Sequence, residues 1–136
     1  MSEVQETVRI IAFSDNATRR AEMIEAVGSR VGREGPVIEW KEIATGDMAM
    51  LEIQSDTRYD LAILDGETGK FSGIGLGKMM HDEVSEDHIN YGIPLINLVA
   101  RPQDEWLSRW AGASRCLLYP INQRELSATV SELLAA

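Results

Sequence analysis

The chain alternates short apolar runs with longer amphipathic stretches five times over. Val8 to Phe13 is apolar apart from Arg9 and rich in strand formers, which predicts a central parallel strand buried on both faces. Ser14-Asp15-Asn16 supplies capping side chains for a helix from Ala17 to Val27, with Ala21, Ile24 and Val27 as its apolar positions. A glycine-containing loop, Gly28 to Pro36, leads into Val37 to Ala44, where apolar and polar residues alternate as in a strand nearer the sheet edge. Thr45-Gly46-Asp47 opens a second helix with a stripe of Met48, Leu51 and Ile53. Asp60 to Leu64 is the third strand, Gly66 to Gly73 a loop, and Ile74 to Val84 a helix that offers Met79, Met80 and Val84 for packing. Pro94 to Ala100 is a fourth strand, and Pro102 to Trp110 a helix with proline near its first turn. Cys116 to Tyr119 is a short fifth strand, ended by Pro120. Asn122 caps a last helix, Gln123 to Leu134, striped by Leu126, Val130, Leu133 and Leu134.

This order predicts an α/β fold: a doubly wound, five-stranded parallel sheet with helices on both faces and right-handed crossovers. In such folds ligands bind beyond the C-terminal ends of the strands, at the topological switch point. Asp15, Asp65, Ala100 and Tyr119 fall at those ends. The chain has 136 residues, which fits one domain with a core at about 8–134, and neither a linker nor an output domain is discernible.

A formal charge of -9 disfavours direct nucleic-acid or anionic-lipid binding. No apolar run approaches the ~20 residues of a membrane span, and the polar, acidic N-terminus is unlike a signal peptide. The single cysteine, Cys116, cannot form an internal disulfide, as suits a cytoplasmic protein.

Two strands whose tips each carry an aspartate, Asp15 and Asp65, can place both carboxylates in one crevice. Such a pair suits a divalent cation or an activated carboxylate nucleophile. Other features read more plainly. Gly69, Gly73, Gly75 and Gly77 lack the dinucleotide-binding spacing and read as a loop and helix start. His81 and His88, seven apart among acids, read as a solvated helical face rather than a metal site. Cys116 reads as an inert thiol in a buried strand. Trp106 and Trp110 share one helix face, with core packing as the default and a partner surface as the alternative. An FMN site would need a glycine-rich phosphate loop after the first strand, and Ser14 to Thr18 contains no glycine.

Over about Val8 to Leu134 the chain resembles the receiver domain of bacterial two-component response regulators. The landmarks are Asp65 with Gly73 eight residues on, the run Pro94 to Ala100, the pair Gly112-Ala113, and Tyr119-Pro120 where the family has Lys-Pro. The resemblance implies a flavodoxin-like sheet of order 2-1-3-4-5. It also implies that Asp65 is the phosphoacceptor, attacking phosphorus on a kinase phosphohistidine to form an acyl phosphate. Asp15, Asp65 and the backbone carbonyl of Glu67 would then be the ligands of a Mg²⁺ ion. Phosphoryl transfer is largely positioning and charge neutralisation, and the metal supplies most of the latter.

The departures from that pattern are specific. The acidic pair at the first strand is Ser14-Asp15, the hydroxyl residue of the fourth strand is Val99, the switching aromatic is Cys116, and the lysine is Tyr119. A lysine–phosphoryl hydrogen bond contributes roughly 1.5–3 kcal/mol, and losing both lysine and hydroxyl costs about 2–5 kcal/mol of transition-state stabilisation. The expectation is an atypical stand-alone receiver in phosphorelay signalling, with weak or absent phosphorylation at Asp65 and at most weak Mg²⁺ binding. It would act through contacts with a sensor histidine kinase or another signalling protein, and homodimerisation is left open. The alternative is a Mg²⁺-dependent phosphotransfer or hydrolase enzyme with Asp65 as nucleophile.

Overall fold

The computed structural model describes residues 7–67 and 73–135. The elements run β1 (Thr7–Phe13), α1 (Ala17–Val27), β2 (Val37–Ile43), α2 (Gly46–Ile53), β3 (Leu61–Asp65), α3 (Gly73–Glu83), β4 (Leu95–Val99), α4 (Asp104–Trp110), β5 (Arg115–Leu118) and α5 (Gln123–Ala135). All four strand pairings are parallel, in the order β2-β1-β3-β4-β5. The expected fold class and strand order are thus observed. Gly69, one of the glycines weighed above, and most of the loop before α3 lie outside the described residues.

Strand alternation divides the core into two layers. Ile10 and Ala12 of β1 point to one face, where they pack with Met23 and Val27 of α1 and with Leu126 and Val130 of α5. Ile11 and Phe13 point to the other, against Ala49, Met50 and Ile53 of α2 and Leu76 and Met80 of α3. The inner strands β3 and β4 are buried at every position, as suits their mainly apolar sequences, with Asp65 and Asn97 as the buried polar exceptions.

Three sequence expectations need correction. On α2 the packed face is Gly46, Ala49, Met50 and Ile53, whereas Met48 and Leu51 are exposed. The helix carries more apolar residues than one face can bury, and Met48 and Leu51 fall on its outer side. On α1, Met23 takes the core position expected of Ala21, which is exposed. On the outer side of the sheet β5 is an edge strand, exposed at both ends, so Cys116 is only partly buried.

Element termini follow local chemistry. Asn16 caps α1 by accepting from the backbone N–H groups of Thr18 and Arg19 at 2.8 and 3.2 Å. Thr45 accepts from Met48 N at the start of α2, and Asn122 accepts from Glu125 N at the start of α5. Among the described residues no helix is long and apolar enough to cross a membrane.

Candidate functional site

The order of strands reverses between β1 and β3, so the tips of these two neighbours frame the switch-point crevice. Their register pairs Phe13 with Leu64, which sets Ser14 level with Asp65 one step further on. The consequence is a direct bond: the Ser14 hydroxyl donates to Asp65 Oδ2 at 2.7 Å. The residue that replaces an acid of the family pattern is therefore a hydrogen-bond donor to the acid that remains.

Asp65 is fully buried. A bare carboxylate in that position would cost several kcal/mol, so its partners decide whether the fold tolerates it. Glu67 N donates to Oδ1 at 2.9 Å, and Arg19 Nη1 reaches both oxygens, at 3.1 and 3.2 Å. An ionised carboxylate has about four acceptor sites. Ser14, Glu67 N and the forked contact of Arg19 fill them.

Arg19 is the residue of this pocket that the sequence reading did not single out. A signal for it exists in the helix start. Arg19 lies in the first turn of α1, just after the Asn16 cap, and helical side chains lean toward the N-terminus. That lean carries the guanidinium back over the strand tips. A cation there opposes the helix dipole, and the Asp65 charge offsets the conflict. Burial alone would lower the Arg19 pKa, but the hydrogen bond and charge of Asp65 outweigh it and hold the guanidinium above its ordinary value. The neighbouring Arg20 is spent elsewhere: Nη1 donates to the Ser14 carbonyl at 2.6 Å and Nε to Glu42.

Tyr119 closes the pocket from the side of β5. Arg19 Cζ lies 4.6 Å from the centroid of its ring, a cation–π stack. The hydroxyl oxygen is buried and makes no hydrogen bond of acceptable geometry among the described residues, although the Asp65 charge acts on it. Burial, followed by that charge, raises the phenol pKa, so the tyrosine stays neutral. Its peptide bond to Pro120 is cis.

Asp15 is exposed at the tip of β1. The Glu67 side chain turns to β4, where Oε2 accepts from Ala100 N at 3.0 Å. Val99 and Cys116 do not join the Asp65 pocket. They pack with Ile74 and Ala111 in a small apolar cluster, where Val99 is wholly buried. Cys116 Sγ lies 3.5 Å from Ser108 Oγ, and burial raises its thiol pKa above the ordinary value. Gly73 seats the start of α3 directly on the site: a Cβ there would lie 2.4 Å from the Asp65 carbonyl oxygen.

Trp106 and Trp110 are not core residues. They are 72% and 59% exposed, and Lys78 of α3 lies 4.5 Å over the ring of Trp110. Only Ser108 of α4 is buried, so the apolar face of this short helix points outward.

Receiver domains generally bind Mg²⁺ at the phosphorylation site. The residues present here do not fit that ion well. Among the described residues no three His, Cys, Asp or Glu side chains converge as a metal site. The acceptor sites of Asp65 are met by N–H and O–H donors, and Arg19 already supplies a positive charge.

No family model matches the sequence. An uncharacterized response regulatory protein of Mycobacterium tuberculosis, found in two strains, is 33% identical over 136 residues, covering 100% of this chain and 98% of its own length. Among solved structures, a CheY-like response regulator receiver domain from Methanospirillum hungatei superposes with a TM-score of 0.73 at 21% identity, covering 96% of this chain and 95% of its own. The receiver domain of the Francisella response regulator 1452 gives 0.76 at 18% identity, covering 94% and 97%. The structural likenesses establish the receiver fold, and a relative one-third identical along the full chain establishes kinship. The chain belongs to the response-regulator family of two-component signalling, as a receiver domain.

Proposed function

We propose that this receiver signals through protein–protein contacts, with phosphorylation at Asp65 weak or absent. The observation that carries the proposal is the state of the Asp65 carboxylate: buried, and with its acceptor sites met by Ser14, Glu67 N and Arg19. Attack on phosphorus needs a free lone pair aimed at the donor and a cation shared with the incoming phosphoryl oxygens. Arg19 would have to leave before either was available. The groups that would hold the product are replaced as well. Val99 offers no donor, and the neutral Tyr119 replaces a charge-assisted bond with at best a neutral one.

The apolar packing of Val99 with Ile74 and Ala111 supports a fixed rather than a switching tip of β4. The exposed tryptophans of α4 are the surface through which a sensor kinase, another signalling protein or a second copy would be engaged, since buried aromatic anchors dominate interface energetics. Among the described residues the enzyme alternative finds no histidine beside Asp65 to serve as its base. His81 lies eight residues along α3 from Gly73, about 12 Å down the helix axis from the Asp65 end.

The test is exposure of the protein to acetyl phosphate and Mg²⁺, followed by intact mass. The expected result is an unchanged mass. A clean gain of one phosphoryl group, lost in Asp65→Ala, would overturn the proposal.

A further inference from the structure

We infer that Arg19 is the resident cation of the Asp65 pocket, taking the place of a divalent metal and masking a latent metal site made of Asp65, Asp15 and the Glu67 carbonyl. The inference rests on Asp65 being the pocket's acid, as proposed above, and goes further by naming what occupies it.

Four observations converge. Arg19 Nη1 sits between the two Asp65 oxygens, at 3.1 and 3.2 Å, where a single cation would contact both. The guanidinium is stacked on Tyr119, which holds it over the carboxylate. Its helix position sets a positive charge against the positive end of α1, a placement favoured only because a buried anion faces it. Finally, Tyr119, which stands beside the acid where the family pattern has lysine, is neutral, so Arg19 is the cation that faces Asp65.

Asp65 bears one formal charge and Arg19 cancels it. A divalent ion would have to displace a guanidinium anchored by a hydrogen-bonded ion pair and a ring stack. Glu67 and Ser14 lend the pocket one backbone and one hydroxyl donor, both of which favour the carboxylate and neither of which is a metal ligand as placed. Once the guanidinium is removed, the carboxylate keeps only those two donors and two of its acceptor sites open. Asp15, exposed at the neighbouring tip, is the acid of the first strand that the family pattern would place on a shared cation.

The experiment is a titration with Mg²⁺ and, separately, Mn²⁺ on the wild-type chain and on Arg19→Gln. Thermal midpoint and Mn²⁺-induced broadening of backbone amide signals at the strand tips are the readouts. Glutamine keeps a hydrogen-bond donor while removing the charge. In the wild type the midpoint should stay flat up to about 10 mM Mg²⁺ and the amides of Asp65 and Glu67 should stay sharp. In Arg19→Gln the starting midpoint should fall, rise again with Mg²⁺, and the same amides should broaden with Mn²⁺. If Arg19→Gln does not fold, Asp65→Asn with Arg19 intact and the double variant Arg19→Gln/Asp65→Asn provide the second route. The double variant should then fold, because no buried charge is left unpaired.

Wild-type binding of Mg²⁺ at least as strong as that of Arg19→Gln would overturn the inference. So would an Arg19→Gln protein with an unchanged midpoint and no metal response. The failures are separable: a wild type that binds Mg²⁺ but takes no phosphoryl group would sink this inference alone. A wild type indifferent to Mg²⁺ but phosphorylated at Asp65 would sink the functional proposal alone.

Discussion

The crevice at the strand tips and the outer face of α4 treat unusual residues in opposite ways. In the crevice an acid, a base, a hydroxyl and an aromatic ring are packed so that nearly every charge and lone pair has its partner. On α4 two tryptophans stand exposed to solvent, with Lys78 laid over the ring of Trp110. A receiver usually links such regions by letting chemistry in the first alter the second. Here the link between them, the tip of β4, is an apolar cluster of Val99, Ile74 and Ala111 with Cys116 against it. The contrast is between an interior whose acid is neutralised within the pocket and a helix face whose aromatic rings stay open to solvent. Under the function proposed above, signalling depends on what that face meets rather than on a chemical event beneath it.

The largest expected effect lies where backbone meets backbone in the crevice. Gly73→Ala would bring a methyl group within 2.4 Å of the Asp65 carbonyl oxygen and 2.7 Å of its carbon. Because neither is a flexible side-chain end, α3 must move, at a cost of about 3 kcal/mol or more. A denaturant melt would read this directly, and a loss below about 0.5 kcal/mol would mean that α3 does not rest on the site as described. Next comes the link. Val99→Thr should cost roughly 1–2 kcal/mol, because the new hydroxyl enters an apolar cluster. It should not by itself restore phosphorylation, since Arg19 still holds Asp65. A phosphorylated Val99→Thr chain would show that the missing hydroxyl, not the guanidinium, is the block.

Much of this molecule is legible in its sequence, for identifiable reasons. Strands β1, β3 and β4 are dominated by apolar runs that no surface element would carry, and Asn16, Thr45 and Asn122 announce their helices as caps. The helix faces are less legible. On α2 the packed face is Gly46, Ala49, Met50 and Ile53 while the equally apolar Met48 and Leu51 are exposed, so hydrophobicity alone does not pick the face. On α4 the tryptophans share a face as expected, but whether that face is inward depends on the seating of the helix. Asp65 at a strand tip is legible from the apolar run before it, and Val99 and Tyr119 at the helper positions are what the resemblance to the receiver family implies, whereas Arg19 acts across 46 positions of sequence and is revealed only when α1 is placed over the strand tips.

The surface side of the comparison predicts smaller effects on folding. Replacing Trp106 and Trp110 by alanine should change stability by no more than about 0.5 kcal/mol each, because both rings are exposed. A loss of several kcal/mol in a denaturant melt would mean that they are structural after all. The smallest effect concerns Cys116. Its thiol pKa is raised by burial above the ordinary 9.0, so the folded chain keeps the proton where the unfolded chain loses it. Stability should therefore be constant below that pH and decline slightly as pH rises beyond it. Alkylation at pH 8 should be slower in the folded protein than after unfolding; equal rates would contradict the burial.

The central claim, that Asp65 is neutralised from within, is tested most directly by electron density at the strand tips of crystals grown with and without Mg²⁺ and a phosphoryl mimic. The account predicts the same density in both, with the Arg19 guanidinium on the two oxygens of Asp65 and its plane on Tyr119. A metal ion bridging Asp15, Asp65 and the Glu67 carbonyl, with Arg19 turned out to solvent, would contradict it.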